Sequence, residues 1–156
     1  MTVALVRLDD RLVHGQVVIG WVQPLGVNRI ALVDDRLRDD TWEQDICRLG
    51  VPPGIRVEFA SVHEAWDRYQ EWSGSSEQVL VLVGDVDHAV RLCEGAPVGR
   101  LNLGGIHHAP GRTERLAYMF LSDEEARQLQ ALGDTGVEIS AQAVPSSKGV
   151  SFGELL

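Results

Sequence analysis

Along this chain, short β-branched runs alternate with segments whose apolar residues recur at helical spacing. The residues 2–8 (TVALVRL), 28–35, 55–61, 78–85, 98–105, 116–122 and 136–145 read as strands. The stretch QVLVLVGD at 78–85 is apolar without alternation, as expected of a strand covered on both faces. Between the strands, residues 15–26, 40–50, 62–72, 86–95 and 123–133 read as helices. Pro24 and Gly26 stop the first of these, and Gly50 followed by Pro52, Pro53 and Gly54 stops the second. Ser61 with Glu64 and Ser122 with Glu125 form capping boxes, in which a hydroxyl and an acid three residues later satisfy the free amides of a helix start.

Strand–helix alternation with short turns requires right-handed crossovers. The expected fold is a three-layer α/β domain spanning residues 1–156, with a mostly parallel open β-sheet and helices on both faces. In such sheets, ligands bind beyond the carboxyl ends of the strands. Asp9 to His14, Asp34 to Arg36, Ser61, Gly84–Asp85 and the loop from Gly104 to Arg115 should gather there.

Composition narrows the choice. With 44% apolar and 24% charged residues the chain reads as globular, and its apolar runs fall well short of a bilayer span. Met1 leads into strand-like residues rather than into a basic segment and an apolar block, so a cytoplasmic protein is expected. A net charge of −9 argues against a nucleic-acid surface. Cys47 and Cys93 lack metal or redox spacing and read as buried thiols. Trp21, Trp42, Trp66 and Trp72 read as core or helix-packing residues, and His63 and His88 as scaffold on helices.

The crowded stretch is Arg7 to His14, where five ionisable groups occupy eight positions at the end of the first strand. A helix beginning at Gly15 and Gln16 would present free amides and a partial positive charge to an anion. Arg11 offers a planar donor fork suited to phosphoryl oxygens. A largely neutral His14 beside such a cradle has a lone pair able to attack phosphorus. At least one of Asp9 and Asp10 should turn onto Arg7, Arg11 or backbone amides, because two free carboxylates would repel a dianion. Residue chemistry alone leaves other readings open: a helix cap with surface ion pairs, a metal ligand or a general base.

Residues 7–17, RLDDRLVHGQV, match at every defined position the pattern Arg-x-Asp-Asp-Arg-hydrophobic-x-His-Gly-Gln-Val. This resembles the signature loop of the enzyme IIB components of the bacterial sugar phosphotransferase system, mannose/fructose/sorbose family. LVDD at 32–35, PPGIRVEFAS at 52–61, LNLGG at 101–105 and VEISAQAVP at 137–145 extend the resemblance over nearly the whole chain. It implies a phosphocarrier in which His14 is phosphorylated and Arg11 stabilises the phosphoryl group. The Gly15 and Gln16 amides would seat the anion, and Arg7, Asp9 and Asp10 would order the loop. It further implies a IIA phosphodonor domain and a sugar held by membrane IIC and IID components, which would place the protein at the inner face of the membrane. Neither a metal nor an organic cofactor is needed for in-line transfer. A homo-oligomer stays open.

A second loop, 104–116, is expected beside the first. Gly104 and Gly105 would let backbone approach the phosphoryl group, and Arg112 and Arg115 would bind oxyanions or an acidic partner. Two rival functions remain at this stage: a regulatory phosphoacceptor without a transporter, and a metal-dependent hydrolase using His14 with His107 or His108 and Asp34 or Asp35.

Overall fold

The computed structural model describes residues 3–13 and 18–155. Its strands are β1 (Val3–Leu8), β2 (Arg29–Val33), β3 (Arg56–Ala60), β4 (Val79–Val83), β5 (Arg100–Leu103), β6 (Arg112–Leu116), β7 (Met119–Ser122), β8 (Glu138–Ala141) and β9 (Val150–Ser151). The helices are α1 (Thr41–Leu49), α2 (Val62–Gly74), α3 (Val86–Gly95) and α4 (Asp123–Asp134). The main sheet runs in the order β3-β2-β4-β1-β5-β8-β9, and every pairing is parallel except that of β9 with β8. The chain builds outward from β1 on one side through β2, β3 and β4, then crosses to the other side at β5. The carboxyl end of β1 therefore lies at the topological switch point.

Successive residues of the central strands feed opposite cores. From β4, Val79, Val81 and Val83 join the larger core under α2, α3 and α4, while Leu80 and Leu82 face a smaller one with Ile30, Leu32, Phe59, Val22, Val27 and Leu37. That two-sided burial is why the strand carries no polar alternation. Both sequence-predicted capping boxes form. Ser61 accepts from the Glu64 amide at 3.1 Å and Ser122 from the Glu125 amide at 3.0 Å, with each glutamate returning to its cap amide.

Several elements depart from the pattern reading. Of the helix expected at 15–26, the described part is a π-helical turn, Val18–Val22, and residues 15–17 lie outside the described residues. Pro24 has no amide to extend a helical ladder, and the Val27 amide bonds Val22 O at 2.9 Å as Gly26 turns the chain at φ +64°. The strand expected at 116–122 is a hairpin, β6–β7, separate from the main sheet. Its first strand, RTERL, is half-exposed and charged, so no apolar run advertises it. The strand expected at 136–145 ends at Ala141, because the Ser147 hydroxyl captures Val144 O at 2.7 Å and folds the chain back. The edge strand β9 has only two residues and no sequence signal.

Trp42 corrects the expectation of four packed tryptophans. It is 74% exposed on α1, a helix with no fully buried residue, whereas Trp72 is wholly enclosed. Trp72 stands edge-on to Tyr69 at 6.2 Å between centroids, and its indole N–H reaches Glu58 at 2.6 Å. Trp72→Ala is expected to cost about 3–5 kcal/mol of unfolding free energy through the cavity it leaves. Urea denaturation followed by circular dichroism measures this; a loss below about 1 kcal/mol would mean that the site collapses without penalty.

Candidate functional site

The loop after β1 is built around Asp9. Its carboxylate is wholly buried and sits between two arginines. The Arg11 fork straddles it, with Nε at 2.9 Å from Oδ1 and Nη2 at 2.8 Å from Oδ2, while Arg7 Nη2 donates to Oδ2 at 3.1 Å. The amides of Arg11 (3.1 Å) and Gly105 (3.2 Å) complete its coordination. Burial acts to raise the Asp9 pKa, but the Arg11 hydrogen bonds and the Arg7 charge outweigh it and hold the carboxyl below its ordinary range. Arg7 has no exposure at all. It donates to Asn102 Oδ1, to Gln142 O at 2.8 Å and to Ala143 O at 3.1 Å, and its guanidinium lies 4.8 Å from the Trp21 ring centroid. Burial pulls the Arg7 pKa below its usual value, against the opposing Asp9 charge.

Backbone contacts fix this knot to the sheet. The Asp9 amide donates to Val83 O (2.9 Å), the Asp10 amide to Gly105 O (2.9 Å), and the Gly104 amide to Leu8 O (2.7 Å). Leu12 adopts φ +51°, a left-handed conformation that a branched side chain avoids, and its side chain packs over Gly84. Such a conformation costs on the order of 1–3 kcal/mol. It is stored two residues before His14 in the chain, and nothing in the local sequence announces it. His14, Gly15 and Gln16, the expected acceptor and anion seat, lie outside the described residues.

The second loop sits beside the first but serves it differently than expected. A Cβ on Gly104 would collide with the Arg7 guanidinium and the Asp9 carboxylate, and one on Gly105 would press on Arg11 Nε at 3.0 Å. These glycines therefore make room for the arginine–aspartate knot. Arg112 is held by Glu125 in a two-point pair (2.9 and 2.8 Å), and its remaining donor, Nη1, reaches His107 O at 3.0 Å. Arg115 lies 3.5 Å from Asp123 and donates to Leu121 O. Arg11 itself spends two of its donor groups on Asp9 and is about one-third exposed, lining a cleft of about 360 Å³ with Gly105, His107, Tyr118 and Phe120.

A buried aspartate between two arginines thus stands at the switch point of a parallel sheet, five residues before the histidine of the Arg-x-Asp-Asp-Arg-hydrophobic-x-His motif. The family model for the PTS system sorbose subfamily IIB component matches residues 3–156. The chain belongs to this family. It is 28% identical over 154 residues to the N-acetylgalactosamine-specific phosphotransferase enzyme IIB component 2 of Escherichia coli, covering 99% of this chain and 98% of that one. The crystal structure of manxB from Thermoanaerobacter tengcongensis superposes with a TM-score of 0.88 at 30% identity, covering 99% and 94% of the two chains. The IIBSor domain of the sorbose permease from Klebsiella pneumoniae gives 0.88 at 26% identity, covering 99% and 96%. The protein is therefore a phosphotransferase-system component that handles a phosphoryl group in sugar uptake.

In this IIB component the other strand-end acids act as clasps. Asp34 Oδ1 accepts the Arg36 and Leu37 amides, both at 2.9 Å. Asp35 accepts the Val62 amide and Arg91 Nη1 (2.9 and 2.8 Å), and Asp85 caps α3 through the His88 amide at 2.8 Å. His88, expected as scaffold, is buried with Nδ1 on Asp85 (2.8 Å), and its Nε2 accepts the Asp35 amide at 3.1 Å. Asp34, Asp85 and His88 have ligand atoms within 4.8 Å of one another, and each of the three is already engaged in these bonds. His107 is paired with Asp10 rather than with Asp34 or Asp35, so the histidine–aspartate set of the hydrolase reading is not assembled among the described residues. Cys47 and Cys93 are free and half-buried rather than fully enclosed, and burial pushes the Cys93 thiol up to about 12. No helix among the described residues is long and apolar enough to cross a membrane.

Asp9→Asn would leave the Arg7 guanidinium buried without its counter-charge, and should cost about 3–5 kcal/mol at neutral pH. The folded-state pKa of Asp9 lies below the unfolded value of about 3.9. The carboxylate's contribution is therefore complete above that value and is lost as the pH falls through the folded one. Urea titrations from pH 7 to pH 3 should show the gap between the two proteins closing in acid; a gap independent of pH would contradict the charged knot.

Proposed function

We propose that this IIB component carries its phosphoryl group on His14. The group arrives from a phosphohistidine on a IIA domain and leaves for a sugar held by membrane IIC and IID components, to which the protein attaches at the inner membrane face. The observation that supports this most directly is the rigid loop before His14. Asp9, Arg7 and Arg11 fix the chain at the rim of the sheet, within reach of two successive partners. Arg11 has Nε and Nη2 on Asp9, so Nη1 is the donor it can offer a phosphoryl oxygen, and Asp9 sets its direction. The Asp9 charge also tempers the arginine's pull on the anion, which suits a carrier that must release what it binds. The Gly15 and Gln16 amides would add backbone donors at the same place.

Incubation with a phosphorylated IIA domain and analysis of the intact protein tests the reading. An acid-labile gain of one phosphate is expected, absent in His14→Ala. Arg11→Ala should slow charging by about 10²-fold, the usual scale for losing one preorganised charge donor. Transfer that ignores the His14 substitution would overturn the assignment.

A further inference from the structure

His88 stands in the first turn of α3 as a buried ring with both nitrogens engaged. Nδ1 lies 2.8 Å and 2.9 Å from the two Asp85 oxygens, and Nε2 takes the Asp35 amide at 3.1 Å. A backbone N–H can only donate, so Nε2 must carry a lone pair and the ring proton sits on Nδ1, facing Asp85. The ring is neutral in this arrangement, although carboxylates surround it. Asp34 and Asp35 face it from the loop after β2 and Asp85 from the cap of its own helix, and Asp35 Oδ2 is 3.9 Å from Nε2. Of the nearby cations, Arg91 on the same helix holds Asp35 Oδ2 at 2.8 Å. Arg36 and Arg112 face Asp85, and Arg112 is paired with Glu125. The Asp85 hydrogen bond raises the ring's pKa above its usual value, against the opposing effect of burial.

The surroundings make two demands that one nitrogen cannot meet together. The acids favour a proton on Nε2, whereas the Asp35 amide needs that nitrogen bare. When Nε2 takes a proton from solvent, its lone pair is used, and two N–H groups would point at each other. The bond from the Asp35 amide must then break, and the new N–H is drawn towards Asp35 Oδ2. We propose that His88 is a pH switch, in which a proton on Nε2 releases the Asp35 amide and repositions the loop after β2 against Leu12. Leu12 borders this region on two sides. It packs over Gly84, directly before Asp85, and it shares a cavity of about 270 Å³ with Asp34, Arg36 and Leu37. A shift of the loop after β2 therefore moves a wall against which the left-handed turn at Leu12 is braced. The inference stands independently of the carrier reading, since no step of it involves a phosphoryl group.

Nitrogen and proton NMR of the full chain, titrated from about pH 8 to about pH 5.5, tests the switch. Burial acts to raise the Asp35 and Asp85 carboxyls, but their hydrogen bonds outweigh it and hold both below the ordinary range, so neither titrates in this window. As the pH falls, His88 Nε2 should pass from bare to protonated, and the Asp35 amide proton should move to the position of an unbonded amide with the same midpoint. Its exchange with solvent, corrected for the intrinsic effect of pH, should quicken about fivefold, the scale of one lost hydrogen bond. The Leu12 and Gly84 amides should follow with that midpoint. His88→Gln, which cannot titrate, should abolish the transition at Asp35 and thereby exclude the other histidines as its source. A ring that stays neutral throughout overturns the proposal, as does an Asp35 amide still bonded when the ring is charged. It is equally overturned by Leu12 and Gly84 amides that ignore the midpoint, or by a transition that persists in His88→Gln. Should that variant fail to fold, the titrations of the unsubstituted protein decide alone.

Discussion

Asp9 carries a charge with no access to water, and the arrangement of the site follows from how that charge is compensated. Two guanidinium groups and two backbone amides surround the carboxylate. Each partner enforces something else: Arg7 ties the loop to the carbonyls after β8, Arg11 is aimed along the rim, and the Gly105 amide draws the loop after β5 alongside. Burying such a group is costly unless every lone pair is satisfied. The knot therefore has a single workable geometry, and removing any member leaves an uncompensated charge or an unmade bond. The glycines at 104 and 105 belong to the same constraint, since no side chain fits where the arginines lie.

The consequence for function is a division of labour. The wholly buried residues, Arg7 and Asp9, hold position, while Arg11, about one-third exposed, and the exposed His107 line the cleft. Phosphoryl transfer between positioned groups depends mainly on alignment and charge stabilisation, so a rigid rim on a parallel sheet supplies most of what the chemistry requires. The left-handed Leu12 fits this picture: the surrounding contacts oblige the chain to adopt an unfavourable turn just before the histidine.

The acids at the ends of β2 and β4 show the limit of reading a site from topology. Asp34, Asp35 and Asp85 do reach the carboxyl edge, yet each spends its oxygens on amides, on Arg91 or on His88. They keep the neighbouring loops in place beside the site. Position at a strand end was visible in the chain; which oxygen meets which amide depends on backbone directions that exist only after folding.

Much of the architecture was legible because it rests on local physics. The apolar run at 78–85, the serine–glutamate caps and the glycine stops each follow from periodicity or from the satisfaction of helix ends. The motif from Arg7 to Val17 likewise identified the family before any fold was known. Partners far apart in the chain were not legible. Arg7 meets Gln142 and Asn102, Asp10 meets His107, and Arg112 meets Glu125 through packing that no local pattern encodes. The short charged strand β6 and the exposed Trp42 escaped for the opposite reason, because pairing and neighbours, rather than residue type, decided their fate. Sequence determined which elements form and which loop carries the chemistry. Tertiary structure alone decided which charges face each other, since the energy of a charge pair depends on distance and burial, and neither is a property of the chain before it folds.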